Sequence, residues 1–187
     1  MKKRILSAVI AVFVIVCFSV SALAEEETPT EYNNMVSLLM EGETGTVLQQ
    51  NGGYEKVAQG TLNKLMTVLL TAEEIESGGL SMNDVVTVSS NANAQTGAVV
   101  WLMPGEEITI EELLKSVIIG NANDASVALA ESVGGNEEEF TGMMNARAFE
   151  LGMRNTVFKN PAGYDCAGQY STPYDMALLC RELLKHE

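Results

Sequence analysis

The chain has 187 residues, 47% of them hydrophobic and 6% aromatic, with 25 acidic against 11 basic side chains and a net charge of −14. That suits one globular domain and excludes disordered, collagen-like and disulfide-scaffold classes. With a pI near 4.4 and no Lys/Arg cluster beyond the first four residues, the folded part would repel a phosphate backbone, so nucleic-acid binding is excluded.

Residues 1–24 read as a secretory signal peptide. Lys2, Lys3 and Arg4 form a positive start, Ile5 to Val20 is apolar apart from Ser7 and Ser19, and Ala22-Leu23-Ala24 is an A-x-A cleavage signal. An uncleaved anchor is the alternative, disfavoured because the apolar run falls short of the ~20 residues that span hydrocarbon comfortably. Cleavage leaves residues 25–187 with 8 basic and 25 acidic groups, a charge of −17, and two cysteines, Cys166 and Cys180. Nothing brings those two together, so they are taken as free. The one histidine, His186, lies beside the C-terminus and no C-x-x-C pair occurs, which leaves no basis for a zinc site or a cofactor.

Glu25 to Asn34 is a polar, acidic leader. Met35 to Leu48 predicts a hairpin turning at Gly45. Leu62, Leu65, Met66, Leu69 and Leu70 predict a helix from Thr61 to Gly78-Gly79 that is central to the core. Val85 to Val88 suits a short strand, Pro104-Gly105 a turn, and Thr109 with Glu112 a capping box opening a helix that breaks at Gly120. Asn123 or Asp124 can cap the next helix, stopped by Gly134-Gly135; Asn136 and Glu139 start another, and Thr172-Pro173 starts the last. The expectation is five helices, a hairpin and a few short β pieces.

Two clusters could carry chemistry. Thr61-Leu62-Asn63-Lys64 sets a hydroxyl at a helix start and an ammonium one turn later on the same face, the spacing by which a lysine can deprotonate an alcohol. An N-cap threonine and a solvated lysine explain the same residues. Asn121-Ala122-Asn123-Asp124, about 57 residues on, could aim amides into a cleft or could simply end one helix and cap the next.

Order and surroundings go further. Leu38-Leu39-Met40 with Thr44-Gly45, Lys64-Leu65-Met66-Thr67, Asn123-Asp124-Ala125-Ser126 through Glu131, Leu151-Gly152-Met153 through Asn160, Pro161 and Gly163, and Tyr170-Ser171-Thr172 to Ala177 together resemble the low-molecular-weight D-alanyl-D-alanine carboxypeptidases, the S11 serine peptidases. Class A β-lactamase is a weaker match, for want of a deacylating glutamate motif. The resemblance covers the mature chain. It implies an α/β fold of the penicillin-binding-protein/β-lactamase type: a helical cluster plus the N-terminal hairpin, with the C-terminal strands of the sheet missing.

In that family a serine attacks the penultimate D-Ala carbonyl of the peptidoglycan stem peptide, a β-lactam acylates the same serine, and S-x-x-K, S-x-N and K-T-G supply the site. Carried over by position, Thr61 stands for the nucleophile, Lys64 for the base, Asn121 for the second-motif hydroxyl and Asn123 for the substrate-amide clamp. Thr61 carries an extra methyl, Asn121 cannot relay a proton at neutral pH, and no K-T-G occurs. The charge of −17 predicts a protonated Lys64 and a poor base. The resemblance thus implies a secreted, cell-wall or periplasmic carboxypeptidase with impaired chemistry, and the missing strands leave two expectations open: the front part of an interrupted gene, or a domain stabilised by a partner that supplies those strands. The alternative is an inactive penicillin-binding-protein-like module or a truncated remnant.

Overall fold

The structure, a computed structural model, describes residues 35–186; the signal peptide expected over residues 1–24 and the acidic leader fall outside the described residues. Strands β1 (Ser37–Met40) and β2 (Val47–Asn51) form an antiparallel hairpin, with Ser37 opposite Asn51 and a bulge between Leu39 and Met40. Its turn needs Gly45, which sits at φ +74, a region glycine enters without a Cβ penalty. Arg181 fixes this turn to the last helix by donating to the carbonyls of Gly42 and Glu43, both at 2.9 Å.

A 3₁₀ turn (Gly60–Leu62) leads into helix α1 (Asn63–Glu76). Strand β3 (Val85–Thr87), a single turn of helix α2 (Ser90–Asn93) and strand β4 (Glu107–Thr109) follow. Then come α3 (Ile110–Gly120), α4 (Asn123–Gly134), α5 (Glu137–Glu150) and α6 (Pro173–Leu183). The five long helices, the hairpin and the strand at Val85 match expectation. Both β4 and α2 escape a reading of periodicity, being only three and four residues long.

Helix starts follow the sequence signals, with one correction. Thr109 and Glu112 make a complete capping box, Asn136 accepts the N–H of Glu139 at 2.9 Å, and Thr172 caps α6 ahead of Pro173. Each such cap contributes about 1 kcal/mol. Neither Asn123 nor Asp124 caps α4: the N-cap is Ala122, and the two polar residues form the first helical turn, with side chains turned to other partners.

Two apolar clusters make the core. One joins α3 and α4 to the β3–β4 pair through Ile110, Leu113, Val117 and Leu129; the other joins α1, α5 and α6 through Met66, Leu69, Phe140 and Leu179. Helix α1 therefore centres the second cluster, and α4 contributes to both. Every residue from Ala122 to Ala130 is buried, and the small side chains there let neighbouring helices approach closely. The four strands pair as two separate two-stranded sheets. Neither outer edge of the hairpin meets another strand among the described residues, and Leu39 and Leu48 on it are 55% and 61% exposed. No helix among the described residues is long and apolar enough to cross a membrane.

The segment Asn160 to Gly163 crosses the start of α1. Gly163 adopts φ +91, and a Cβ there would strike the carbonyl of Gly60 and crowd Thr61 Cα. Gly152, at φ +83, faces open space. Gly163→Ala should therefore lower stability by more than about 1 kcal/mol and by clearly more than Gly152→Ala, measured by thermal unfolding. Equal losses would mean that backbone strain alone, and not the contact with the turn at Thr61, sets the penalty.

Candidate active site

Lys64 occupies the first turn of α1 and is only 4% exposed. Its Nζ donates to the carbonyl of Ala162 at 2.6 Å. Burial pushes its pKa down from the usual lysine range to about 8, because a charged ammonium loses solvation in a low-dielectric site. A value near 8 leaves Lys64 mostly protonated at pH 7, so the shift opposes the effect of net charge without overturning the expected protonation. The acidic groups are dispersed over a screened surface, whereas desolvation acts at the nitrogen itself.

Thr61 lies in the 3₁₀ turn and is exposed. Asn121 ends α3 in the left-handed conformation, φ +53 and ψ +32, and its N–H bonds the carbonyl of Ser116. It is thus the helix C-cap that the alternative reading described, a role asparagine fills because it tolerates this conformation. Thr61, Lys64 and Asn121 line one groove of about 730 Å³ that runs along α1 and α3, with Leu65, Val68, Leu114 and Ile118 as its apolar walls. Asn123 is not among its lining residues. Its amide Nδ2 donates to the Thr96 carbonyl at 2.6 Å and its backbone N–H to that of Ala98 at 2.7 Å, which places it behind the rim formed by residues 96–102.

Several polar side chains that frame Lys64 are invisible to motif reading. Asn63 Nδ2 donates to the carbonyl of Asn160 at 2.9 Å, and the hydroxyls of Thr67 and Ser126 both donate to that of Pro161, at 3.0 and 2.9 Å. With Lys64 on Ala162, three consecutive carbonyls are occupied by side chains of α1 and α4. Asn160 Oδ1 in turn accepts the N–H groups of Gly163 and Tyr164 at 2.6 and 3.0 Å. The Tyr164 hydroxyl bonds both the carbonyl and the N–H of Thr96, so the 160–164 loop and the rim at Thr96 are tied together. One signal was present: Asn63, Thr67 and Thr71 recur at i, i+4 among the apolar residues of the helix's buried face.

Asp124 is 1% exposed. Its carboxylate accepts the N–H groups of Val100 and Leu102, at 3.1 Å each through Oδ2, and that of Ala125 at 2.9 Å. Cys166 and Cys180 are free and exposed. Glu73, Glu182 and His186 offer ligand atoms within 4.8 Å of one another. The Arg147 guanidinium already holds both carboxylates, at 2.7 and 3.0 Å, so a metal ion would have to displace it.

The chain matches the D-alanyl-D-alanine carboxypeptidase family, peptidase family S11, over residues 23–187. It is 41% identical to the D-alanyl-D-alanine carboxypeptidase DacF of Bacillus subtilis over 99% of its own length and 49% of the relative's. Against DacC of Escherichia coli the figures are 35%, 89% and 44%. The crystal structure of penicillin binding protein 6B from Escherichia coli superposes with a TM-score of 0.78 at 31% identity, covering 82% of this chain and 50% of that one. The chain therefore spans about half the length of the curated relatives it matches. By the family match over residues 23–187 and these relatives, the chain belongs to the D-alanyl-D-alanine carboxypeptidase family.

Proposed function

We propose that this chain is an extracytoplasmic carboxypeptidase-type domain that takes the D-alanyl-D-alanine end of a peptidoglycan stem peptide, or a β-lactam in its place, and acylates slowly at Thr61. The observation that carries this reading is a lysine one helical turn past a hydroxyl, on the same groove, with its pKa brought to about 8 by burial. At pH 7 about a tenth of such a lysine is neutral and able to accept a proton.

Neutral Lys64 takes the Thr61 proton as Oγ1 attacks the penultimate D-Ala carbonyl. The C–O bond forms, the amide C–N bond breaks as Lys64 returns the proton it took to the leaving amine, and water later hydrolyses the ester. Asn121 can hydrogen-bond the departing amine and cannot hand on a proton at neutral pH. Asn123, expected as the amide clamp, has its Nδ2 committed to Thr96 and does not line the groove. The methyl of Thr61 restricts χ1. These departures point to impaired turnover, and neither a metal nor a cofactor enters the scheme. The hairpin edges, unpaired among the described residues, suit a partner supplying further strands. The engagement of Lys64 Nζ with Ala162 favours a second reading, an inactive module that binds without turnover.

Labelling with a fluorescent penicillin separates the two. The expected outcome is slow labelling whose rate rises with pH through about 8 and levels off above, as the low-pKa lysine loses its proton. Lys64→Ala should cut the rate at least about 100-fold, and Thr61→Ser should raise it by relieving the crowding. Absence of label in both the parent chain and Thr61→Ser, at high protein concentration and pH 8.5, would favour the inactive module.

A further inference from the structure

The chain has a single tryptophan, Trp101, and its setting is unusual. Its backbone sits at φ +63, where a bulky aromatic residue is strained. Its side chain is 82% exposed. The residues on either side of it are fixed: the buried Asp124 carboxylate takes the N–H groups of Val100 and Leu102, and the Leu102 carbonyl accepts from Asn93 at 2.7 Å. Leu102 itself is in the core. The left-handed turn at residue 101 therefore throws the indole out of a rigid frame. Strain of this kind persists only where the surroundings impose it, and it concentrates at ligand-binding positions.

The segment that carries the indole passes beside the helix end at which the groove closes. Val100 Cγ1 lies 3.6 Å from where a Cβ on Gly120 would be, and Gly120 precedes Asn121, which lines the groove. Asn123 and Tyr164 bind the same rim at Thr96. Met103 and Ile119 are exposed beside it in sequence and on the adjoining helix end, at 62% and 83%, so the rim carries apolar surface and no cation between Thr96 and Met103. Charge separates the candidate ligands. Exposed Glu106, Glu107 and Glu111 follow the rim, and a chain at −14 is repelled by an anionic membrane surface. A neutral pyranose ring meets no such repulsion, and its C–H face stacks on an indole.

We propose that Trp101 is a glycan-binding platform that stacks on a sugar of the peptidoglycan strand beside the stem peptide held in the groove. The proposal rests on the substrate reading above, deepening it from the peptide to the sugar that carries it. Asp124 is a positioning residue for the platform.

Because Trp101 is the only indole, its fluorescence reports on this site alone. Titration of the full chain with a neutral N-acetylglucosamine oligomer should give a saturable blue shift, and free stem pentapeptide should give none. The shift should persist in Lys64→Ala, so lost penicillin labelling with an intact sugar response would count against the acyl-transfer reading only. Retention on purified sacculi should survive Trp101→Phe and fall about fivefold in Trp101→Gly, which relieves the positive φ and so keeps the thermal transition. No response to the oligomer, a response only to phosphatidylglycerol vesicles, or a response to the pentapeptide alone would each overturn the proposal.

Discussion

The site depends on three backbone carbonyls. Asn160, Pro161 and Ala162 present their oxygens in succession to the first turns of α1 and α4, and Asn63, Thr67, Ser126 and Lys64 fill them. A buried carbonyl without a donor would cost about 1–3 kcal/mol, so each partner fixes the position of the other. This arrangement buries an ammonium in a chain whose surface could have solvated it. Lys64 is held in place by a neutral acceptor, and its charge is neither paired nor exposed; the consequence is a lysine that gives up its proton near pH 8. Gly163 at the end of the row, packed on the Gly60 carbonyl, sets the turn that carries Thr61.

The row also links the two sides of the groove. Asn160 Oδ1 orders Gly163 and Tyr164, Tyr164 bonds Thr96, and Thr96 holds the Asn123 amide. From there Asp124 fixes the rim around Trp101. These hydrogen bonds, joined through the backbone at residues 160–164 and 123–124, position Lys64, the Asn123 amide and the segment that carries the exposed indole. Most of these groups are buried, where satisfied polar networks are rigid.

Much of this was legible in the sequence and some was not, for physical reasons. Capping at Thr109, Asn136 and Thr172 was readable because a cap is a local contest between a side chain and the first free N–H groups. Asn123 and Asp124 misled, since the same residue types that cap helices also bind loops, and their partners lie 22 to 27 residues away in an irregular segment. Net charge did not foretell the lowered pKa of Lys64, because it is a sum over the surface, while the pKa of one amine responds to the few ångströms around it. The family followed from spaced motifs. The groove along α1 and α3 did not, because it depends on how two helices cross.

The account's central claim is that the carbonyl row holds Lys64 buried and easily deprotonated. A direct measurement is the pH titration of the Lys64 side-chain ¹³Cε resonance in the folded chain, assigned through Lys64→Arg. The account predicts a midpoint near 8, well separated from the exposed lysines near 10.4. A Lys64 midpoint at or above 10 would contradict it, and with it the burial of the amine against Ala162.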